Sequence, residues 1–344
     1  MTKIVIWAQS VCRSTMDLYR EVKRLRDDVD VTVVLRRDGR GEDVRKLREA
    51  QGQGDYSDVV DRVWDGKVES GIELLDLGAV HVFSGYQANR AVRELMIEAK
   101  RRALRVVEYD EAPCEMCLGV KGALKRLYYA MVLPMRVGAA VRAADLFISA
   151  SGNMGIDRLV RLGWRREQIV PFGYASGRLG VSGQQLAVEG RGLRVLHTGV
   201  EAKYRGVDVL KRAVASLKRR GVELEVKFTG GKVDAAQLPG LYEWADVVVA
   251  CGLCEPWGMR VNDVLLEGVP VVVSDGMGAA MLCDAYGCGC VVPKGDANAL
   301  AAVLERCAND REFLAHLRSG AKMAAAEIVP EKRAKVWLGK VLGE

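Results

Sequence analysis

The stretch Glu255-Pro256-Trp257-Gly258-Met259-Arg260-Val261-Asn262-Asp263, followed by Val264-Leu265-Leu266-Glu267-Gly268-Val269-Pro270-Val271-Val272-Val273-Ser274-Asp275, decides the fold. It predicts a strand end, a glycine turn, a helix starting near Gly258 and then another buried strand. In an open parallel sheet ligands bind at the carboxyl ends of the strands, which puts Glu255 at the edge of a crevice. The helix start aims free N–H groups at the same crevice, and that suits a diphosphate. Glu255 and Asp263, eight positions apart, then address one ligand from two sides.

The same alternation runs on both sides of this stretch. Strands are predicted at 193–196, 224–228 and 247–250, with a helix at 207–220. In the first half strands are predicted at 4–8, 31–35, 80–83, 105–108 and 146–150. Ser14-Thr15-Met16-Asp17 starts a helix that sets Leu18, Val22 and Leu25 on one face, and another helix covers 88–102. β-rich runs alternating with amphipathic helices predict an α/β protein of parallel sheets covered by helices. The Gly-, Gln- and Ser-rich segment 177–191 has no sustained hydrophobic period and divides the two series. The expected organisation is therefore a domain at 1–176, a linker at 177–191, a second domain at 192–329 and a terminal helix in 330–344. Helices are expected at 297–307 and 311–327, interrupted by Pro330. The last one, 332–342, offers Val336, Leu338 and Val341 for packing and docks away from its predecessor.

Composition agrees with two cores. A chain of 344 residues, 49% hydrophobic and 28% charged, exceeds one ordinary core, and units of ~150 residues are its natural division. The net charge is +6 with both signs interspersed, which speaks against nucleic acid and suits a phosphorylated substrate or an anionic membrane surface. No apolar run approaches the ~20 residues that span a bilayer. The N-terminus runs directly into Lys3-Ile4-Val5-Ile6-Trp7, a strand rather than a signal peptide, and predicts a cytoplasmic protein. Nine cysteines are then mostly reduced thiols. Cys114/Cys117 and Cys251/Cys254 have half-site spacing, and Cys283, Cys288 and Cys290 form a third group. Small buried apolar side chains are the better reading and no metal site is expected, while disulfide formation by either pair stays open.

The central stretch resembles the family 4 glycosyltransferases. Their hallmark is Glu, seven residues, Glu, within a Glu-Pro-aromatic-Gly turn followed by Gly-x-Pro-Val-Val; this chain matches it with Asp263 in place of the second Glu. A second match runs from Thr198-Gly199 to Tyr204-Arg205-Gly206-Val207-Asp208-Val209-Leu210. In the family that loop carries two cations that neutralise a diphosphate. Arg205 takes one position and Val200 the other, with Lys203 expected to compensate. Phe228-Thr229-Gly230-Gly231 and Val292-Pro293-Lys294-Gly295-Asp296 resemble the family's glycine turn and its late signature.

The resemblance implies the GT-B architecture: two Rossmann-like domains facing across a cleft, with a C-terminal helix returning to the first. It implies a retaining transfer from a nucleoside diphosphate sugar to an acceptor hydroxyl of a glycan or lipid-linked precursor, with no cofactor or metal required. Glu255 would hold the donor sugar, Arg205 the diphosphate and Asp263 the ribose. Gly199, Lys203, Gly230, Pro256, Trp257, Gly258 and Met259 complete the implied donor site. A nucleotide-sugar epimerase of GT-B form and a non-catalytic binding scaffold are the alternatives.

The first half should present the acceptor. His81 lies near the end of a predicted strand and is a candidate catalytic residue, with Ser84 and Gly85 in the following turn. Glu108, Asp110 and Glu111 lie at the next strand end, in an acid-Ala-Pro turn resembling that of some relatives, and are candidate acceptor contacts. Over 121–142 basic Lys125, Arg126, Arg136 and Arg142 flank an apolar run from Leu127 to Leu133. This expects a peripheral contact with the inner face of an anionic membrane.

Overall fold

Valine- and isoleucine-rich runs build two parallel sheets. The computed structural model describes residues 1–37, 55–114, 119–177, 192–200, 202–231, 233 and 237–344. The expected linker, apart from Gly177, and Cys117 lie outside the described residues. The first sheet contains β1 (Thr2–Ala8), β2 (Val29–Arg36), β3 (Arg62–Trp64), β4 (Ala79–Phe83), β5 (Arg105–Asp110), β6 (Leu146–Ser149) and β7 (Ile169–Pro171), ordered β3-β2-β1-β4-β5-β6-β7. The second contains β8 (Leu193–His197), β9 (Leu224–Phe228), β10 (Val247–Ala250), β11 (Val271–Ser274) and β12 (Gly289–Val292), ordered β12-β11-β10-β8-β9. Helices cover both faces, so residues of both parities are buried, as Ile4, Val5, Ile6 and Trp7 are. That is why these strands read as continuous apolar runs rather than as alternation.

Strand order reverses between β1 and β4 and again between β8 and β10. At such points the connections leave in opposite directions and a crevice opens at the carboxyl edge. The loops there begin with Gln9 and Ser84 in the first sheet, and with Thr198 and Cys251 in the second. The two edges confront each other. Asn262 donates to the Tyr174 carbonyl at 3.0 Å, and the Tyr174 and Trp257 rings lie 6.3 Å apart.

The terminal helix is Pro330–Leu342, two residues longer than expected, because Pro330 starts it. Proline's missing N–H costs nothing in a first turn and its fixed φ favours the entry. The helix returns to the first sheet and packs on the helix Arg13–Leu25. Its anchor is Trp337, fully buried at 5.9 Å from the Tyr19 ring and 6.1 Å from that of Tyr109. Leu338 and Val341 are buried beside it, whereas Val336 is 46% exposed. Arg26 pairs with Glu344 at the far end, at 2.9 Å. Trp337→Ala should cost about 3–5 kcal/mol of stability, seen as a lower denaturation midpoint and as earlier proteolysis of the C-terminal helix.

Candidate active site

Glu255 and Arg205 come together from loops 50 residues apart. The approach depends on Gly206, whose φ is +69° and whose added Cβ would stand 1.9 Å from the Cys251 carbonyl oxygen. With no side chain there, the short helical turn Lys203–Arg205 lies against the loop after β10. Leu253 N–H donates to the Tyr204 carbonyl at 2.7 Å and secures the contact. The Glu255 backbone is fixed from the other side, its N–H donating to the Gly276 carbonyl at 2.9 Å. One Glu255 carboxylate oxygen then accepts from Arg205 Nη1. Burial disfavours the Arg205 charge, but the neighbouring carboxylate outweighs it and raises the guanidinium above its ordinary value.

Two atoms of this pair, Glu255 Oε2 and Arg205 Nε, are buried with no hydrogen-bond partner among the described residues. A buried acceptor beside a buried donor calls for a ligand bearing both a hydroxyl and an anionic oxygen. The pocket that both residues line is shared by His197, Thr198, Gly199 and Arg260. Arg260 occupies the first turn of the helix Met259–Leu266, which has no acidic residue in that turn and no side-chain cap. A second guanidinium and the helix's N–H groups therefore open on the same pocket. The Tyr242 hydroxyl hydrogen-bonds Arg260 and Thr198; burial first, and Asp263 second, push this phenol up to about 12. Asp263 lies on the same helix, its carboxyl raised by burial against the opposing pull of Arg260 and Arg13.

Other expected donor residues divide into those at the pocket and those that shape it. Gly199 lines it, and Met259 opens the helix, half-buried against the core. Gly258, at φ +101°, makes the turn into that helix. Pro256 and Trp257 are buried. Trp257 donates to Asn262 Oδ1 at 2.8 Å, and its ring lies where a Cβ on Gly173 would come within 2.2 Å. It joins the two halves and does not line the pocket. Gly230 turns the chain after β9 at φ +63°, and the bare Cα of Gly231 makes room for Val200. Lys203 is exposed and does not line the pocket.

Across the cleft, a cavity of about 280 Å³ at the carboxyl edge of the first sheet is lined by Gln9, Ser84, Gly85, Asp110, Glu111 and Tyr174, among others. Gly85 N–H donates to Asp110 at 3.1 Å and the Tyr174 hydroxyl to Glu111 at 3.2 Å. Burial raises the Asp110 carboxyl to about 6. Burial, then Asp110 and also Glu255 from across the cleft, raise Glu111 to about 7. Ser84, Gly85 and Glu111 are thus brought together as expected acceptor contacts. Glu108 is not with them: it lies beneath the cavity, fully buried, 3.5 Å from the Tyr86 N–H, with burial holding its carboxyl well above the ordinary value.

The expectation of a catalytic role for His81 meets a different environment. His81 is fully buried in the middle of β4, and its Nδ1 accepts from Trp7 Nε1 at 3.1 Å. Its Nε2 faces the Asp76 carbonyl at 3.1 Å, near the amino end of β4 and away from the cleft. Both ring nitrogens are satisfied inside the core, and burial lowers the ring's affinity for a proton. Sequence reasoning also passed over Arg260 and His197. The signal for Arg260 was a cation in the first turn of a helix, where the dipole disfavours it unless an anion is present. Among the described residues no three His, Cys, Asp or Glu side chains are grouped to hold a metal ion.

Two parallel sheets with facing carboxyl edges and a returning C-terminal helix are the GT-B fold. Residues 187–310, which carry Arg205, Glu255 and Asp263, match the family model described as Glycosyl transferases group 1; this segment is that of a glycosyltransferase. The whole chain is similar in fold to HepE of Anabaena, solved with UDP and glucose: 17% identity, 100% of both chains covered, TM-score 0.65. It is similar also to the lipopolysaccharide outer core galactosyltransferase WaaB, at 10% identity with 99% of each chain covered and a TM-score of 0.67. For the sucrose-phosphate synthase of Thermosynechococcus elongatus the identity is 14%, the coverage 100% of this chain and 98% of that one, and the TM-score 0.62. No curated protein matches the sequence.

Proposed function

We propose that this protein moves a sugar from a nucleoside diphosphate to an acceptor hydroxyl with retention of configuration. The observation that carries this reading is the pair of buried, unpartnered atoms Glu255 Oε2 and Arg205 Nε in one pocket. A sugar hydroxyl donates to the first and a phosphate oxygen accepts from the second. Negative charge grows on the diphosphate as the glycosidic bond breaks, and Arg205, Arg260 and the helix start at Gly258 already point there. Glu255 neutralises much of Arg205, so Arg260 supplies the remaining positive charge, the part expected of Lys203. These cations serve the leaving group without a required metal. Asp263 contacts the ribose, while Asp110 and Glu111 hold the acceptor on the opposite wall. The UDP bound in HepE makes UDP-sugars the first donors to try.

The test is a donor panel, UDP-glucose first, followed by nucleoside diphosphate release with and without glycan or lipid-linked acceptors. Acceptor-dependent release supports the reading. An isomeric nucleotide sugar formed without acceptor identifies an epimerase, and absence of donor-dependent heat in calorimetry identifies a non-catalytic scaffold.

A lipid-linked acceptor, met at the inner face of a membrane, is favoured by one surface. Gly119–Leu127 and Leu133–Ala143 are joined through a π-helical turn, Tyr128–Val132. Val120, Leu124, Leu127, Met131 and Met135 are between 54% and 80% exposed along it. Residues 119–143 contain no Asp or Glu, while Lys121, Lys125, Arg126, Arg136 and Arg142 are all basic. Exposed apolar side chains among cations suit an anionic bilayer. No helix among the described residues is long and apolar enough to cross one. Vesicles containing phosphatidylglycerol should sediment the protein and phosphatidylcholine vesicles should not. Leu124→Ser with Met131→Ser should weaken binding about tenfold or more; unchanged sedimentation counts against this surface.

A further inference from the structure

Two cysteines from opposite walls of the cleft meet beside the site. Cys114 follows the loop that carries Asp110 and Glu111, and Cys254 immediately precedes Glu255. Their Sγ atoms are 2.8 Å apart although 140 positions separate them in the chain. Arg158, on the helix Ile156–Arg161, attends the pair. Its Nη1 donates to the Pro113 carbonyl at 2.9 Å, and its Nη2 reaches Cys254 Sγ at 3.3 Å. A guanidinium at that distance favours a thiolate on Cys254, with the Cys114 thiol as its hydrogen-bond donor. Cys251 is turned elsewhere, donating to the Gly206 carbonyl at 3.1 Å.

We propose that Cys114 and Cys254 form a reversible disulfide that ties the two halves of the protein together across the cleft. The oxidant is a low-molecular-weight disulfide such as oxidised glutathione. The Cys254 thiolate attacks one of its sulfurs and expels the first small thiolate, leaving a mixed disulfide on Cys254. Cys114 then loses its proton to solvent and attacks the Cys254 sulfur, expelling the second small thiolate. Two cysteine thiols are oxidised and one small disulfide is reduced to two thiols, so atoms and electrons balance. The protein sulfurs must close from 2.8 Å to about 2.05 Å, a shift that side-chain rotation supplies with both loops in place. The consequence rests on the proposed function: the bond fastens the residue before Glu255 to the loop that holds Glu111, in a cleft that must open to admit donor and release diphosphate.

The experiment uses the full chain, treated with oxidised glutathione, blocked with N-ethylmaleimide and mapped as non-reduced peptides. The expected map joins the Cys114 peptide to the Cys254 peptide. Glycosyl transfer should fall about tenfold or more, as release steps commonly limit turnover, and dithiothreitol should restore it. Cys114→Ser should keep full activity with and without oxidant. Linkage of Cys114 to Cys117 or of Cys251 to Cys254, or no linkage at all, overturns the site; a Cys114–Cys254 bond in a fully active enzyme overturns its effect on the cleft. The peptide map needs no activity, so in a protein that transfers no sugar it still decides the site, and only the proposed function fails.

Discussion

Glu255→Ala should lower kcat for glycosyl transfer about 10²–10³-fold while leaving nucleoside diphosphate affinity near that of the unaltered protein. Glu255 Oε2 is buried without a partner, so the hydroxyl that satisfies it belongs to the sugar and is lost with the carboxylate. The diphosphate keeps Arg205, Arg260 and the helix start. Arg205, 28% exposed at its side chain, loses its ion-pair partner but retains contact with water. The fold should therefore lose only about 1–3 kcal/mol, because β10, its loop and the Glu255 N–H to Gly276 bond depend on backbone atoms that alanine keeps. Calorimetry with UDP and turnover with the best donor separate the two effects. Turnover equal to that of the unaltered protein removes Glu255 from the site, and a matching loss of UDP affinity moves its role from the sugar to the diphosphate.

The residues that place Glu255 were legible because parallel strands buried on both faces leave unbroken apolar runs. β9 and β10 match their sequence-read bounds for that reason. β3 and β7 were not read. Each has three residues, and in β3 both Arg62 and Val63 are exposed while Trp64 alone is buried, so neither period nor run existed to detect. The Glu255 turn and Arg205 were visible as motifs, but their contact was not: it comes from a close backbone approach at Gly206, a property of two loops folded together. His81 shows the reverse failure. Its nearness to a strand end suggested a cleft position, but its ring points toward the amino end of β4, where Trp7 and Asp76 claim both nitrogens. Trp337 was likewise overlooked in favour of Val336, since one-dimensional spacing does not show which face of a terminal helix finds an aromatic pocket.

The two guanidiniums of the donor pocket should prove unequal. Arg260→Ala removes one cation, and kcat/KM should fall about 10²-fold. Arg205→Ala removes a cation and also releases Glu255, whose carboxylate then stands unneutralised beside the incoming diphosphate. The loss should reach about 10³-fold or more. This asymmetry has a distinctive signature in a double-mutant cycle. In the Arg205→Ala background, Glu255→Gln removes the repelling charge and should improve UDP affinity about tenfold. With Arg205 present, the same Glu255→Gln change leaves UDP affinity within about twofold and lowers kcat, because it weakens only the hold on the sugar. Additive effects of the two substitutions on UDP binding would show that Arg205 meets the diphosphate independently of Glu255, and the neutralised pair would no longer explain why Arg260 is needed.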